Sequence, residues 1–162
     1  MAKKEEKTNV MRTLDQKKIA YIPHAYDPDG PMDGVSVART LGQDPACVFK
    51  TLVTRGASGG YYVFDIPAAE SLDLKKAAKA VGEKSIELLH VAEINAVTGY
   101  IRGGCSPVGM KKQYPTVFHR TALDYETVYI SAGKIGAQVE RAPRALLDRV
   151  GASTADIVVD QG

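Results

Sequence analysis

Val48-Phe49-Lys50-Thr51-Leu52-Val53-Thr54, then Ser58-Gly59-Gly60, then Tyr61-Tyr62-Val63-Phe64-Asp65-Ile66, reads as two strands joined by a turn of more than two residues. In the first strand Val48, Lys50 and Leu52 share one face, and Phe49, Thr51 and Val53 share the other. Both faces carry bulky apolar groups, which is the pattern of a strand buried on both sides. A lysine in such a strand is costly unless its charge is compensated. Either Lys50 lies at a sheet edge and reaches to water, or it is a cation at the floor of a pocket that meets an anion or a developing negative charge. The pattern alone leaves both readings open.

Outward from this hairpin, the rest of the chain alternates irregularly. Residues 1–7 are expected to be a frayed tail and residues 8–160 a single domain. A helix is expected over Thr8–Lys18, with Val10, Met11 and Leu14 on its inner side. Tyr21–Ala25 reads as a strand, and Tyr26–Gly34 is dense in turn residues. Asp33 caps a helix over Val35–Leu41 that Gly42 ends, and Asp44-Pro45 opens one short helical turn. A further helix, Asp73–Val81, has Leu74, Ala77, Ala78 and Val81 as its inner stripe and Gly82 as its stop. Ile86–Leu88 is a short strand, Val91–Ala96 a short helix, and Gly99–Gly109 a glycine-rich loop. Thr116–His119, Thr127–Ser131 and Ala137–Arg141 are strands, and Pro143–Val150 is the last helix, with Leu146, Leu147 and Val150 inward. The expected class is therefore α+β, a mixed sheet with helices packed around it.

The bulk properties narrow the function. A chain of 162 residues is one domain in size, with 44% hydrophobic and 25% charged residues, ordinary for a protein with a buried core. No stretch approaches the roughly 20 apolar residues of a membrane span, and the charged N-terminus leads into no apolar signal segment. Two cysteines, Cys47 and Cys105, do not make a disulfide framework, which suits a cytoplasmic protein. A net charge of +2 is too weak for a DNA-coating protein. Arg102, Lys111, Lys112, Arg120 and Lys134 could still neutralise phosphates if they share a face.

Several chemistries are disfavoured by spacing. His24, His90 and His119 lack the paired spacing of a zinc site, so no metal is expected. No glycine-rich run ends in Gly-Lys-Ser/Thr, so there is no phosphate-binding loop of that kind. Gly104-Cys105-Ser106-Pro107 lacks the Gly-x-Ser-x-Gly elbow of a serine hydrolase, although Cys105 as a nucleophile is not removed by that argument. Gly103-Gly104 lets backbone approach a ligand closely and can aim N–H groups at one point, as an oxyanion requires. The same residues also suit a plain turn before Pro107.

Taken as a set, four segments resemble one family: Cys47–Val53, Leu72–Gly82, Thr98–Lys112 and Tyr129–Lys134. The combination of a Lys-Thr-Leu strand, Gly-Gly-x-Ser-Pro and Ser-x-Gly-Lys, in that order, is similar to the YbaK/EbsC proteins, bacterial Cys-tRNA(Pro)/Cys-tRNA(Cys) deacylases related to the editing domain of prolyl-tRNA synthetases. The likeness runs from about Thr8 to Asp160. It implies a mixed, strongly curved, barrel-like sheet of six or seven strands flanked by helices. It implies cleavage of the aminoacyl ester on mischarged tRNA, without metal or other cofactor.

The same resemblance assigns roles. Lys50 is the essential lysine, with backbone N–H groups of Gly103, Gly104 and Cys105 around the oxyanion. Tyr26, Thr51, Ser106, Pro107 and Gln138 would bind the substrate. In cysteine-specific members the substrate's own thiol attacks its ester carbonyl. One position departs: the family's aspartate aligns with Gln138, which hydrogen-bonds but cannot form an ion pair with a substrate amine. Alanine is therefore a competing target to cysteine. The expected partners are aminoacyl-tRNA, with tRNA(Pro) first, and prolyl-tRNA synthetase. Membrane and DNA are not expected partners. A domain that binds tRNA or a synthetase without hydrolysis is the competing class, and an ester or thioester hydrolase using Cys105 is the third.

Overall fold

In a computed structural model, residues 7–30, 33–101, 104–110 and 112–160 are described. They form five helices and eight strands in two sheets. The first sheet has the order β1 (Ile22–Ala25), β7 (Ala137–Arg141), β6 (Val128–Ser131), all antiparallel. The second has the order β4 (Ile86–Leu88), β2 (Phe49–Gly56), β3 (Tyr61–Pro67), β5 (Thr116–His119), β8 (Ser153–Ala155). Its β4–β2–β3 part is antiparallel and its β3–β5–β8 part parallel, so it is mixed as expected. The expectation of one barrel-like sheet of six or seven strands does not hold. β4 and β8 are the edges of the larger sheet, and among the described residues the two sheets share one backbone bridge, Val48↔Tyr129, beside the side-chain core between them. The expected tail, residues 1–7, lies almost wholly outside the described residues.

Helices begin and end where their caps dictate. In α1 (Asn9–Gln16) the Thr8 hydroxyl accepts from the Met11 N–H, and Val10, Met11 and Leu14 are buried. In α2 (Gly34–Leu41) the Asp33 carboxylate accepts from the Ser36 N–H, and Gly42 closes the helix in the left-handed conformation. Asp73 caps α3 (Leu74–Val81), whose Ala77 and Ala78 are buried. Leu74, expected on the inner stripe, is 40% exposed. Leu72, held by a bridge to Val158, packs against that cluster in its place. α4 spans Val91–Thr98 and α5 spans Pro143–Val150, with Leu146, Leu147 and Val150 buried.

β2 is covered on both faces, as its sequence required. Phe49 and Val53 join the main core with Phe118, Ile130 and Leu146, while Leu52 packs against Phe64, Ile66, Ala77 and Ile157. Its edge is another matter. β4 pairs only with Thr54–Gly56, the Leu89 N–H reaches back to the Val53 carbonyl, and β6 pairs only at Val48. Between these anchors, among the described residues, no strand is paired with residues 49–53 on that side. The functional cavity opens in this gap.

Candidate functional site

The cavity has a volume of about 830 Å³, ample for an aminoacyl-nucleoside. Its spine is β2 from Val48 to Val53, and the start of α2 contributes Asp33, Gly34 and Val37. The β4–α4 corner adds Leu88, Leu89, Val91 and Ile94 as an apolar wall, and Ile130, Ser131 and Gln138 close it from the other sheet. Tyr26 and Cys105 complete the lining.

Lys50 is half-buried on β2, opposite Ile66 of β3. Burial pushes its ammonium below the ordinary lysine range, and the Glu70 charge pulls it partly back. It lines the cavity and also stands on the stretch of β2 that no strand pairs on one side, so the two readings left open by sequence, a pocket cation and a sheet-edge lysine, coincide here. Thr51, on the opposite face, donates its hydroxyl to Asp65 Oδ1 of β3. Asp65 is wholly inaccessible, and its Oδ2 has no hydrogen-bond partner among the described residues. Burial therefore pushes its carboxyl up to about 8, partly opposed by the Thr51 hydrogen bond. Sequence offered a signal for Asp65, a lone carboxylate in an apolar strand, of the same kind that singled out Lys50.

One turn organises two of the expected elements. The Tyr26 N–H donates to the Gly136 carbonyl at 2.9 Å, and Gly136 has φ +99° with Tyr26 and Pro28 packed against the place a Cβ would fill. A Cβ on Gly104 would come within 3.1 Å of the Lys134 Cα. The Gly133–Gly136 turn thus packs against both the Tyr26 loop and the glycine-rich loop, and a side chain at 104 would fit only if the Lys134 backbone gave way by a few tenths of an ångström.

The glycine-rich loop itself is only partly the oxyanion device expected. The Gly104 N–H already donates to the Ile101 carbonyl at 3.0 Å, so it is not open to a ligand. Gly103, Arg102 and Lys111 lie outside the described residues. Ser106 is fully buried, its Oγ accepting from the Val108 N–H at 3.3 Å, and neither it nor Gly104 nor buried Pro107 is part of the cavity lining. These three hold the loop's shape behind Cys105.

Cys105 lines the cavity but is poorly suited to attack. Its Sγ donates to the Ile101 carbonyl at 3.5 Å, and burial pushes the thiol up to about 11. A thiol so high is almost wholly un-ionised at neutral pH, and the thiolate is the nucleophile. If the cavity hydrolyses an ester, Cys105→Ala is expected to keep the rate within about threefold of wild type, since so weakly ionised a thiol is a poor nucleophile. Single-turnover rates check it, and a folded but inactive variant, together with loss of wild-type activity on thiol alkylation, would point to covalent catalysis instead.

The histidines are dispersed. His24 Nε2 pairs with Glu140 Oε1 at 2.8 Å, the His90 N–H donates to Glu93 at the start of α4, and His119 Nδ1 accepts from the Ile157 N–H at 3.3 Å. Among the described residues no group of three or more His, Cys, Asp or Glu side chains is arranged to hold a metal ion. Nor is any helix among them long and apolar enough to cross a membrane.

Comparisons with known proteins agree with this fold. An Enterococcus faecalis protein named for Cys-tRNA(Pro)/Cys-tRNA(Cys) deacylase activity, EbsC, is 45% identical over 164 residues, covering 99% of this chain and all of that protein. The crystal structure of hypothetical protein APE2540 superposes with a TM-score of 0.85 at 25% identity, covering 93% of this chain and 99% of the other. A crystal structure described as a trans-editing enzyme for prolyl-tRNA synthetase has a TM-score of 0.81 at 25% identity, covering 94% and 96%. The profile of the aminoacyl-tRNA editing domain matches residues 32–148, most of the chain, and the chain belongs to that family.

Proposed function

We propose that this protein is a free-standing deacylase that cleaves the aminoacyl ester of mischarged tRNA in the cytoplasm, with Cys-tRNA(Pro) as its main substrate. The observation that carries the reading is the cavity at the open edge of β2, where Lys50, Thr51, Tyr26, Cys105 and Gln138 meet. Lys50 supplies the only lysine or arginine charge among the described lining residues, placed to offset negative charge at the reacting end. The Cys105 N–H, in place of that of Gly104, is the backbone donor offered to the oxyanion. Tyr26 and Thr51 position the aminoacyl-adenosine.

Among the described residues no activated nucleophile faces the cavity, which supports attack by the substrate's own thiol. In that step the cysteinyl sulfur bonds to the ester carbonyl carbon and the carbon–oxygen ester bond breaks. The thiol proton passes to the ribose oxygen, and water then opens the resulting four-membered thiolactone. Orientation of an internal nucleophile supplies several kcal/mol of the barrier, and the protein need only fold the substrate onto itself.

Ser-tRNA(Pro) is nearly isosteric with the cysteinyl ester, but its hydroxyl is a far poorer nucleophile near neutral pH. Cleavage of Cys-tRNA(Pro) is therefore expected to exceed that of Ser-tRNA(Pro) and Ala-tRNA(Pro) by about 1,000-fold or more, beyond the roughly 10–200-fold that a pocket achieves by fit between near-isosteres. Initial rates on the three substrates test this. Comparable rates, or a preference for alanine, would replace thiol attack by hydrolysis with water on the same scaffold.

A further inference from the structure

At the end of α2, Gly42 turns the chain and the Gln43 N–H donates to the Ala38 carbonyl at 2.8 Å, which fixes the Gln43 backbone. Its side chain then crosses 95 residues of sequence to β7, where Gln43 Nε2 donates to Gln138 Oε1 at 2.9 Å. Gln138 is 5% exposed and lines the cavity, whereas Gln43 stands behind it and does not. Gln43 Oε1 is buried and has no hydrogen-bond partner among the described residues.

The direction of this bond follows from which orphan is tolerable. The opposite pairing, with Gln138 donating to Gln43, would leave the buried Gln43 amino group with both N–H donors unpaired. A lone under-satisfied carbonyl is the cheaper defect. The Gln138 carbonyl is thus occupied. Its amino group bonds to nothing among the described residues and keeps some accessible surface, on a residue that lines the cavity. Neighbouring groups are already engaged: Ser131 Oγ accepts from the Gly133 N–H at 3.1 Å, and the Asp33 carboxylate caps α2.

Depth in the cavity says which part of the substrate meets Gln138. Ile130, Val37, Gln138, Leu89 and Cys105 are its most buried lining residues besides parts of β2, and only the small aminoacyl end of a tRNA reaches that far. We infer that Gln43 is a positioning residue that locks the Gln138 amide with its N–H groups toward the cavity, so that the site selects aminoacyl groups whose side chain carries a sulfur or oxygen acceptor. The inference rests on reading the cavity as an aminoacyl-tRNA site. A fixed donor with no acceptor to meet is left unpaired by an alanyl group, and this unmet donor is what disfavours alanine.

The test uses uncleavable 3′-amide-linked aminoacyl-adenosines carrying cysteine, serine or alanine, titrated into the full chain. Wild type is expected to bind the cysteinyl and seryl ligands about 10-fold more tightly than the alanyl one, the scale of one hydrogen bond. Gln43→Glu, whose carboxylate can only accept, compels Gln138 to turn its amino group away and present its carbonyl. Cysteinyl and seryl affinity should then fall about 10-fold while alanyl affinity changes less than about threefold. Gln43→Met, of similar size, frees the amide and should give an intermediate ratio.

A merely structural Gln43 would make the two variants alike and all three ligands fall together. That outcome, or unchanged ratios in both variants at wild-type melting temperature, overturns the inference, as does failure of wild type to bind any of the ligands. If wild type binds with the stated preference yet hydrolyses no aminoacyl-tRNA, the deacylase reading fails and the positioning role stands.

Discussion

Lys50→Ala is expected to abolish deacylation while leaving the protein folded. Lys50 is half-buried in a strand that is apolar on both faces, and it is placed in the wall of the cavity. Removing one preorganised charge from a partly water-excluded site typically raises a barrier by about 2–4 kcal/mol, or roughly 10²–10³ in rate. Part of the lysine's stem also packs, so Lys50→Met is the cleaner variant, keeping the stem and losing only the charge. Both variants should retain a cooperative unfolding transition. Wild-type rates from a folded Lys50→Met protein would remove the cation from the mechanism.

The largest effect on stability is expected at Asp65. β3 lies between β2 and β5, and no part of the Asp65 side chain reaches water. Its carboxyl is held up to about 8 in the folded protein, against 3.8 for the unperturbed group. A folded-state pKa raised above the unfolded one means that the folded state holds its proton where the unfolded state has released it. Stability is then fully present below the unfolded pKa and declines as pH rises toward the folded one. Across the window from about pH 4 to pH 8 the loss is on the order of 5 kcal/mol, at about 1.4 kcal/mol per pH unit.

Asp65→Asn keeps the shape, remains neutral and abolishes this dependence. The variant and wild type should therefore melt at similar temperatures near pH 4.5. At pH 8 the variant should be more stable by on the order of 10 °C, since each kcal/mol shifts the midpoint of a domain this size by about 2–4 °C. Thermal melts of the pair at several pH values check it. A constant offset at all pH values would mean that Asp65 is ionised throughout.

What the sequence could convey differs by residue. Lys50 was legible because a cation in a doubly apolar strand violates a local rule, and such violations point to function. Asp65 breaks the same rule one strand later. The cap at Asp33 and the stops at Gly42 and Gly82 were legible because they act within a few residues, whereas Thr8 and Asp73, expected inside their helices, are caps. The open edge of β2 was not, since it depends on β4 pairing only over Thr54–Gly56 while β6 arrives at Val48. The barrel-like sheet was expected from the family resemblance alone, and two open sheets are found instead.

The glycine-rich loop shows the limit most clearly. Gly-Gly reads equally as a donor cradle or a packing requirement. At Gly104 the structure resolves it as packing against Lys134, with the N–H taken by Ile101. Gln43 had no signal in the sequence at all, because its role exists only once α2 is laid against β7.

The most direct test of the central claim is the rate at which the purified protein, with no synthetase present, releases cysteine from Cys-tRNA(Pro). Release should be proportional to enzyme concentration, well above spontaneous ester hydrolysis, and undiminished by chelators. Release at the spontaneous rate, with the same tRNA bound and intact, would contradict the account and leave a tRNA-binding domain without catalysis.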